Sequence, residues 1–346
     1  MTAAAPRHSR RGILIPFIIV GLLLAAWTGW WFYLTRQIEV RLAAQVETLR
    51  QDGWDIRHGP VTTTGWPFRA RVEVPLFHAV SPAGHGVDAL ELVAEANAYN
   101  PDKWVVIAPR GLTLDRAGKG KVAITGGGAR FSISHLRDRF RDVRAELIRP
   151  IFTPHQGAEP FPLASAERVE FYSRPHLTDG QQSTDQMDVL FVLTDGRGRP
   201  GGPVAGAAQQ GELSLRLEAV IGEASRLSAG EDAGVFADWT RAGGDFTGVL
   251  GEVKAGETRA LLRSDRLYAR PDGRLQGQLT VAAEKPLAAI AGLAGSNSGA
   301  VDQAGAVGAA AATAPSGDRP LDLTIRFEGG RTWLGPFALA PAPKLF

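Results

Sequence analysis

The chain has 346 residues, 44% hydrophobic and 21% charged, a balance that supports a packed core and excludes wholesale disorder. Its formal net charge is only +2, and its 32 arginines and six lysines are scattered along the chain, which argues against nucleic-acid binding. With no cysteine there is no disulfide, no thiol nucleophile and no thiolate metal site.

The amino-terminal segment Ile13 to Leu34 reads ILIPFIIVGLLLAAWTGWWFYL, without a charged side chain. At ~1.5 Å per residue it extends about 33 Å, enough to cross a hydrocarbon core of roughly 30 Å. Leu24 ahead of Ala25 and Ala26 breaks the small-residue pattern of a cleavage site, and the apolar run continues past it, so an uncleaved signal anchor is expected. Arg7, Arg10 and Arg11 crowd the tail of residues 1–12, whereas Arg36, Arg41 and Arg50 follow the span more thinly beside Glu39 and Glu47. This places the tail in the cytoplasm and the bulk of the chain outside. Trp27, Trp30, Trp31 and Tyr33 are expected at the outer membrane interface, where amphipathic rings sit among headgroups. Over residues 35–52, Ile38, Leu42, Val46 and Leu49 recur at helical spacing and predict an amphipathic stalk ending at Asp52-Gly53.

The remaining 53–346 read as one domain, cut by 41 glycines and 22 prolines into short extended pieces. Strands are predicted at 54–57, 68–74, 89–99, 104–107, 111–115, 121–125, 130–134, 166–172, 187–194 and 212–221. The last shows the pattern best: Leu213, Leu215 and Leu217 alternate with Glu212, Ser214, Arg216 and Glu218, giving one buried and one wet face. Leu136, Phe140, Val143 and Leu147 are spaced for a helix face, with two extended segments as the alternative. A short helix is expected over 232–241 around Trp239, ending at Gly243-Gly244. Strands resume at 246–253, 257–267 and 274–282, followed by a helix over 287–293. Residues 196–211 and 295–320 are expected to be flexible excursions, the latter because Gly, Ala and Ser offer too little apolar area to offset ordering. Leu321 to Glu328 and Arg331 to Leu339 close the chain as a hairpin across Gly329-Gly330. The fold class expected is mainly β (β-rich α+β): a large curved antiparallel sheet with few short helices, preceded by a transmembrane helix and a helical stalk.

No chemistry-bearing motif survives its spacing test. Gly196, Gly198 and Gly201 match a dinucleotide fingerprint, but Pro200 and Pro203 interrupt the required helix start. Neither Gly118-Lys119 nor Gly120-Lys121 completes a P-loop. The seven histidines lack the spacing of a helical zinc site; His78 and His85 near Asp88 are the one pair with a conceivable metal or acid-base role. Gly295-Ser296-Asn297-Ser298-Gly299 has asparagine where a serine elbow needs its nucleophile, and no serine stands three residues before a lysine. No cofactor, metal ligand or catalytic residue is therefore expected.

One block is distinctive. Gly65-Trp66-Pro67-Phe68-Arg69 follows Gly53-Trp54 and precedes Ala98-Tyr99-Asn100-Pro101 and Val105-Val106-Ile107; Trp239, Gly243-Gly244 and the ending Gly330-Arg331-Thr332-Trp333-Leu334-Gly335-Pro336 complete the pattern. Over nearly its whole length the chain resembles the alphaproteobacterial DUF2125 family, a domain of unknown function. The resemblance implies a Gram-negative envelope protein anchored in the inner membrane and carries no catalytic residues. At fold level alone the plan is also similar to AsmA-like envelope proteins, which implies lipid handling. Physically, Gly65 permits a sharp corner, Pro67 restrains Trp66 to extended geometry, and Phe68 starts a strand, so the block is expected to be structural, with Trp66 plugging the sheet.

The function expected is that of a non-catalytic, membrane-anchored periplasmic protein whose inner sheet face binds lipid or another apolar envelope component, lined by Leu213, Leu215, Leu217, Leu323, Ile325 and Phe327. The alternatives are a scaffold or assembly factor docking a partner protein on that face, a sheet closed on itself as a sandwich, and a hydrolase assembled from distant residues. A reporter enzyme active only after export, fused after Phe346, is expected to be active; activity from a cytoplasmic reporter alone would reverse the topology.

Overall fold

The computed structural model describes residues 11–227, 234–296, 299, 301–316 and 319–345. The apolar run and the stalk form a single helix, α1 (Arg11–Gln51). It stops where expected: Gly53 has φ +86°, and its N–H and that of Trp54 donate to the carbonyls of Arg50 and Leu49, the hydrogen-bond pattern of a glycine-terminated helix. There follow β1 (Asp55–Arg57), β2 (Thr62–Thr64), β3 (Arg69–Val80), β4 (Gly86–Asn97), β5 (Asn100–Ala108), β6 (Leu112–Arg116) and β7 (Gly120–Thr125). Next come β8 (Ala129–Ser134), β9 (Asp142–Ile148), β10 (Ile151–Pro154), β11 (Leu163–Ser165), β12 (Arg168–Thr178) and β13 (Gln181–Gly198). The chain continues through α2 (Pro203–Ala207), β14 (Glu212–Ile221), α3 (Ala237–Arg241), β15 (Asp245–Ala255), β16 (Thr258–Ala269) and β17 (Leu275–Glu284). It finishes with α4 (Pro286–Ala294), α5 (Gln303–Thr313), β18 (Leu321–Glu328), β19 (Arg331–Leu334) and β20 (Phe337–Pro341).

Among the described residues all 20 strands join one antiparallel sheet, so the protein is mainly β, as its alternating runs predict. Its main run is β3-β4-β5-β8-β9-β12-β13-β14-β15-β16-β17-β18-β19-β20. A second arm, β6-β7-β10-β11, leaves β4 and rejoins β13 on the same edges as β5 and β12. The two arms are the halves of four bent strands: β5 turns into β6 at Gly111, β7 into β8 at Gly126 to Gly128, β9 into β10 at Arg149-Pro150, and β11 into β12 at Ala166-Glu167. The breaks line up across the sheet as a crease that keeps its hydrogen bonds, with Gly127 N–H donating to Ile148, Arg149 to Glu167 and Glu167 to Thr194. Gly111 (φ +76°) and Gly126 (φ +126°) are obligatory there, because a Cβ would stand 2.1 Å from the Ile124 carbonyl oxygen and 2.0 Å from that of Arg149. Folded over, the arm buries Val122, Ile124 and Phe152 against Leu147 and Val169 of the main run.

The carboxyl-terminal half is covered by helices, and two expectations are corrected there. Residues 295–320 contain α5, capped by the Asp302 side chain, which accepts from Gly305 N–H at 3.1 Å, and by an Arg331 to Asp302 hydrogen bond of 2.7 Å. The composition that predicted mobility instead permits close approach: a Cβ on Gly305 would lie 1.7 Å from the Ala338 carbonyl oxygen, and Gly308 meets the Phe337 ring. Residues 196–211 contain the end of β13 and α2, which meets α4 where Gly206 and Gly292 face each other's carbonyls at 2.2 and 1.9 Å from their absent Cβ atoms. Over 136–147 the helix expectation fails: 142–148 is β9, its Val143, Ala145 and Leu147 paired with β8 and β12. These residues satisfy both periodicities, and cross-strand pairing decides between them. The helix expected over 232–241 is α3 from Ala237; its Asp232 end lies outside the described residues. Trp239 is fully buried, donates to Gly222 O at 2.7 Å and lies against Gly244, where a Cβ would meet the indole at 2.3 Å.

Gly126→Ala is expected to lower unfolding free energy by about 2–3 kcal/mol, since both φ and contact forbid the methyl. Gly118→Ala, at φ +70° with nothing within 4 Å, is expected to cost about 1 kcal/mol. Paired denaturant titrations check the difference; equal losses would show that the crease is not sterically locked.

Candidate functional site

Two features stand out, a collar between α1 and the sheet edge and a long apolar face. From Leu14 to Ala26 every side chain of α1 is exposed, Phe17 at 71% and Leu22 at 66%. From Trp27 onward one side of the helix turns inward: Trp31 and Leu34 are buried against Ala98, with Trp27 and Ile38 beside them. Three indoles fasten the contact. Trp27 Nε1 donates to Pro67 O at 2.8 Å, Trp31 to Arg69 O at 2.8 Å, and Trp30 to Ala98 O at 3.3 Å. The stalk then follows the same edge, with Thr63 donating to Glu39 at 2.7 Å and Arg50 to Ile56 O at 2.7 Å.

The Gly65 to Arg69 block is the other half of this collar. Gly65 has φ +104°, its Cβ would meet Arg69 O at 2.7 Å, and Arg69 N–H donates back to Gly65 O at 2.9 Å. The turn contains a cis Trp66-Pro67 bond and launches β3 at Arg69, as expected. Trp66 does not plug the sheet, however; it is 48% exposed, whereas Trp31 from the helix is buried against Ala98. The sequence signal for this is the tryptophan cluster itself, whose rings are expected among headgroups at the outer interface and here also reach the backbone of the domain.

The apolar face follows from register, because directly paired residues on neighbouring strands point to the same side. One row runs Val72, Ala94, Val106, Phe131, Ala145, Phe171 from β3 to β12. It continues as Phe191, Leu217, Gly251, Leu262, Val281, Leu323 from β13 to β18. No member is polar. At ~4.8 Å per strand the row is roughly 50 Å long. The adjacent row, Ala108, Ala129, Leu147, Val169, Leu193, Leu215, Val253, is equally apolar. All six residues expected to line a groove lie on this face. Leu217 sits in the first row and Leu215 in the second, but Leu323 and Ile325 are covered by Ile290 and Ala309 of α4 and α5, and Phe327 is buried with Val249 and Leu267, against which Leu217 also packs. That end of the face is core rather than groove. The open part lies beside the folded-over arm, where Phe131 is 39% and Phe171 38% exposed, with Ala145 of β9, inside the segment expected as a helix, paired between them.

The opposite face is polar. Glu95, Val105, Ser132, Arg144, Tyr172, Leu190 and Glu218 form its corresponding row, and an open cavity of about 560 Å³ lies along it. Its charges are largely spent on one another: Arg144 on Glu170 at 3.0 Å, Arg174 on Asp188 at 3.1 Å, and Arg216 on Glu218 at 2.5 Å. The Tyr172 hydroxyl donates to Glu170 at 2.7 Å; burial and that carboxylate raise its pKa above the ordinary phenol value, which keeps it protonated. His135 contacts Asp142 at 3.0 Å and His176 contacts Asp188 at 2.5 Å, and among the described residues neither imidazole hydrogen-bonds a serine, so a serine–histidine–carboxylate relay is not assembled there.

His78 and His85 part company. His78 Nδ1 lies 2.5 Å from Asp88, which Lys121 Nζ approaches at 2.8 Å, whereas His85 Nδ1 accepts from Ala117 N–H at 3.3 Å. Among the described residues no group of three or more His, Asp or Glu could hold a metal ion. The triad is a clamp between β3, β4 and β7. Burial pushes the Asp88 carboxyl up, but hydrogen bonds and charge from His78 and Lys121 outweigh it, and its pKa falls below the usual carboxylate range.

These features define a β-rich domain carried on one amino-terminal helix that is long and apolar enough to cross a membrane. The chain belongs to the family described as "Uncharacterized protein conserved in bacteria (DUF2125)", matched over residues 31–343. No curated protein and no solved structure matches it, so the AsmA-like comparison gains no support.

Because the Asp88 pKa is depressed on folding, its contribution is present above the unfolded carboxylate range and is lost as pH falls through the folded value. Asp88→Asn is expected to destabilise at neutral pH, by less than about 1 kcal/mol for so accessible a pair, and to match the unsubstituted protein in strong acid. Melting curves across that range test this; a difference that persisted in acid would assign the effect to packing.

Proposed function

We propose that this protein is a single-pass component of the bacterial inner membrane, amino terminus in the cytoplasm, whose periplasmic domain binds a lipid acyl chain or a comparable apolar envelope component without transforming it. The observation that carries the reading is the uninterrupted apolar row from β3 to β18, with Phe131 and Phe171 left 39% and 38% exposed in its middle. Solvent-facing rows of an antiparallel sheet are ordinarily polar, and an apolar strip of this length in water calls for an occupant. An acyl chain suits it, since the row presents methyl, methylene and ring carbon. The strip also begins at β3, the strand beside α1, which supports lipid entering from the membrane side. A non-catalytic role fits the polar face, where the arginines lining the cavity, Arg144, Arg174 and Arg216, are each paired with a carboxylate.

The full chain, extracted in detergent and exchanged into an amphipathic polymer, is expected to retain lipid beyond that of its boundary layer. Phe171→Asp is expected to lower the retained lipid about tenfold or more, since a carboxylate facing an acyl chain exceeds the ~1.4 kcal/mol this requires. Arg216→Asp, on the opposite face, should leave it unchanged. Mass spectrometry of extracts decides; equal retention in both variants would remove the apolar row as the site, and a protein crosslinked through Phe171 in place of lipid would favour a scaffold.

A further inference from the structure

We infer that the Gly65 to Phe68 turn and the Ala98-Tyr99 loop form a second membrane contact, sunk into the outer interface of the bilayer that α1 crosses. The inference rests on the membrane anchorage proposed above and begins with a length. Between Arg11 and Trp27 there are only about 24 Å of helix at ~1.5 Å per residue, short of the roughly 30 Å of a hydrocarbon core. The shortfall must come from Trp27 to Leu34, the stretch docked against these loops. Whatever lies beside Trp27 and Trp31 therefore sits about 5–10 Å into the boundary region, the depth of an interfacial element.

The loops are built for that position. Neither Gly65-Trp66-Pro67-Phe68 nor Ala98-Tyr99-Asn100-Pro101 contains a charge. Each turns aromatic side chains outward: Trp66 is 48%, Phe68 66% and Tyr99 67% exposed. Irregular backbone is tolerated at membrane depth only where its polar groups are satisfied internally. Here the three indoles of α1 do so, donating to the carbonyls of Pro67, Arg69 and Ala98. The tryptophans, placed by sequence among headgroups, thus seal the backbone of a wedge that carries its own exposed rings. Bilayer and fold then hold the sheet edge at β3 against the surface, where the apolar row begins.

The chain has no cysteine, so single labels are unambiguous. The full chain, carrying a fluorophore on Phe68→Cys or Tyr99→Cys, is reconstituted in vesicles of phosphatidylethanolamine with a minority of phosphatidylglycerol. Leu22→Cys, in the exposed apolar part of α1, is the lipid reference, and Leu177→Cys, 50% exposed on β12, is the water reference. Nitroxide-bearing lipids are expected to quench the labels at 22, 68 and 99 several-fold more than the label at 177. Quenching at 22 with labels at both 68 and 99 resembling 177 would overturn the wedge and leave the anchor standing. Absence of quenching at 22 would overturn the anchor and the wedge together. Because residues 68 and 99 lie on separate loops, quenching at either one upholds the contact even where the other substitution disturbs its turn.

Discussion

Cross-strand register is the constraint on which the other features rest. A strand repeats every two residues, so a shift of one position in any pair from β3 to β18 would carry that strand's apolar set to the wrong side. The pairing holds through bulges in β12, β13, β14 and β16 and still brings Val72, Phe171, Leu217 and Leu323 to a common face. Separation of an apolar face from a polar one is therefore cooperative, and it explains why the cavity lined by Arg144, Tyr172 and Arg216 and the row containing Phe131 and Phe171 lie back to back.

A face this large needs cover, and the protein supplies it in two ways. In the first half the sheet covers itself by creasing, with glycine wherever a Cβ would strike a carbonyl. In the second half small helices cover it. Their glycines and alanines bury little area per residue, but they let backbones approach until Gly206 meets Gly292 and Gly305 meets Ala338. Dispersion at such short range, together with the Asp302 cap, offsets an ordering cost that composition alone makes look prohibitive. Between the two covers, Phe131 and Phe171 remain open.

At the sheet's first edge β1 and β2 pair with β3, and α1 packs at the start of β3 where that pairing stops. Its indole N–H groups pair with carbonyls of the turn and loop, and Trp31 is buried against Ala98. Anchor and domain are thus a single packed unit. The position of the long apolar helix relative to the sheet is set by hydrogen bonds from Trp27 and Trp31 rather than by a flexible tether.

Much of the architecture was legible locally. The apolar run, the alternation in Leu213 to Leu217 and in Leu321 to Phe327, the Gly329-Gly330 hairpin and the helix stop at Gly53 depend on neighbours a few residues apart, and so does the expectation of a mainly β fold. The family resemblance of the Gly65 to Arg69 block was legible too, though not its partner. What only the tertiary structure decided involves distant residues with no local signature. It chose strand over helix at Val143 to Leu147 because Phe131 and Phe171 flank that strand. It ordered α5 because Ala338 and Phe337 accept its glycine face, and it left Trp66 exposed while Trp31, far away in sequence, was buried against Ala98. Sequence determined which residues prefer burial; the creased sheet determined which of them are covered, since cover is a property of the surface opposite.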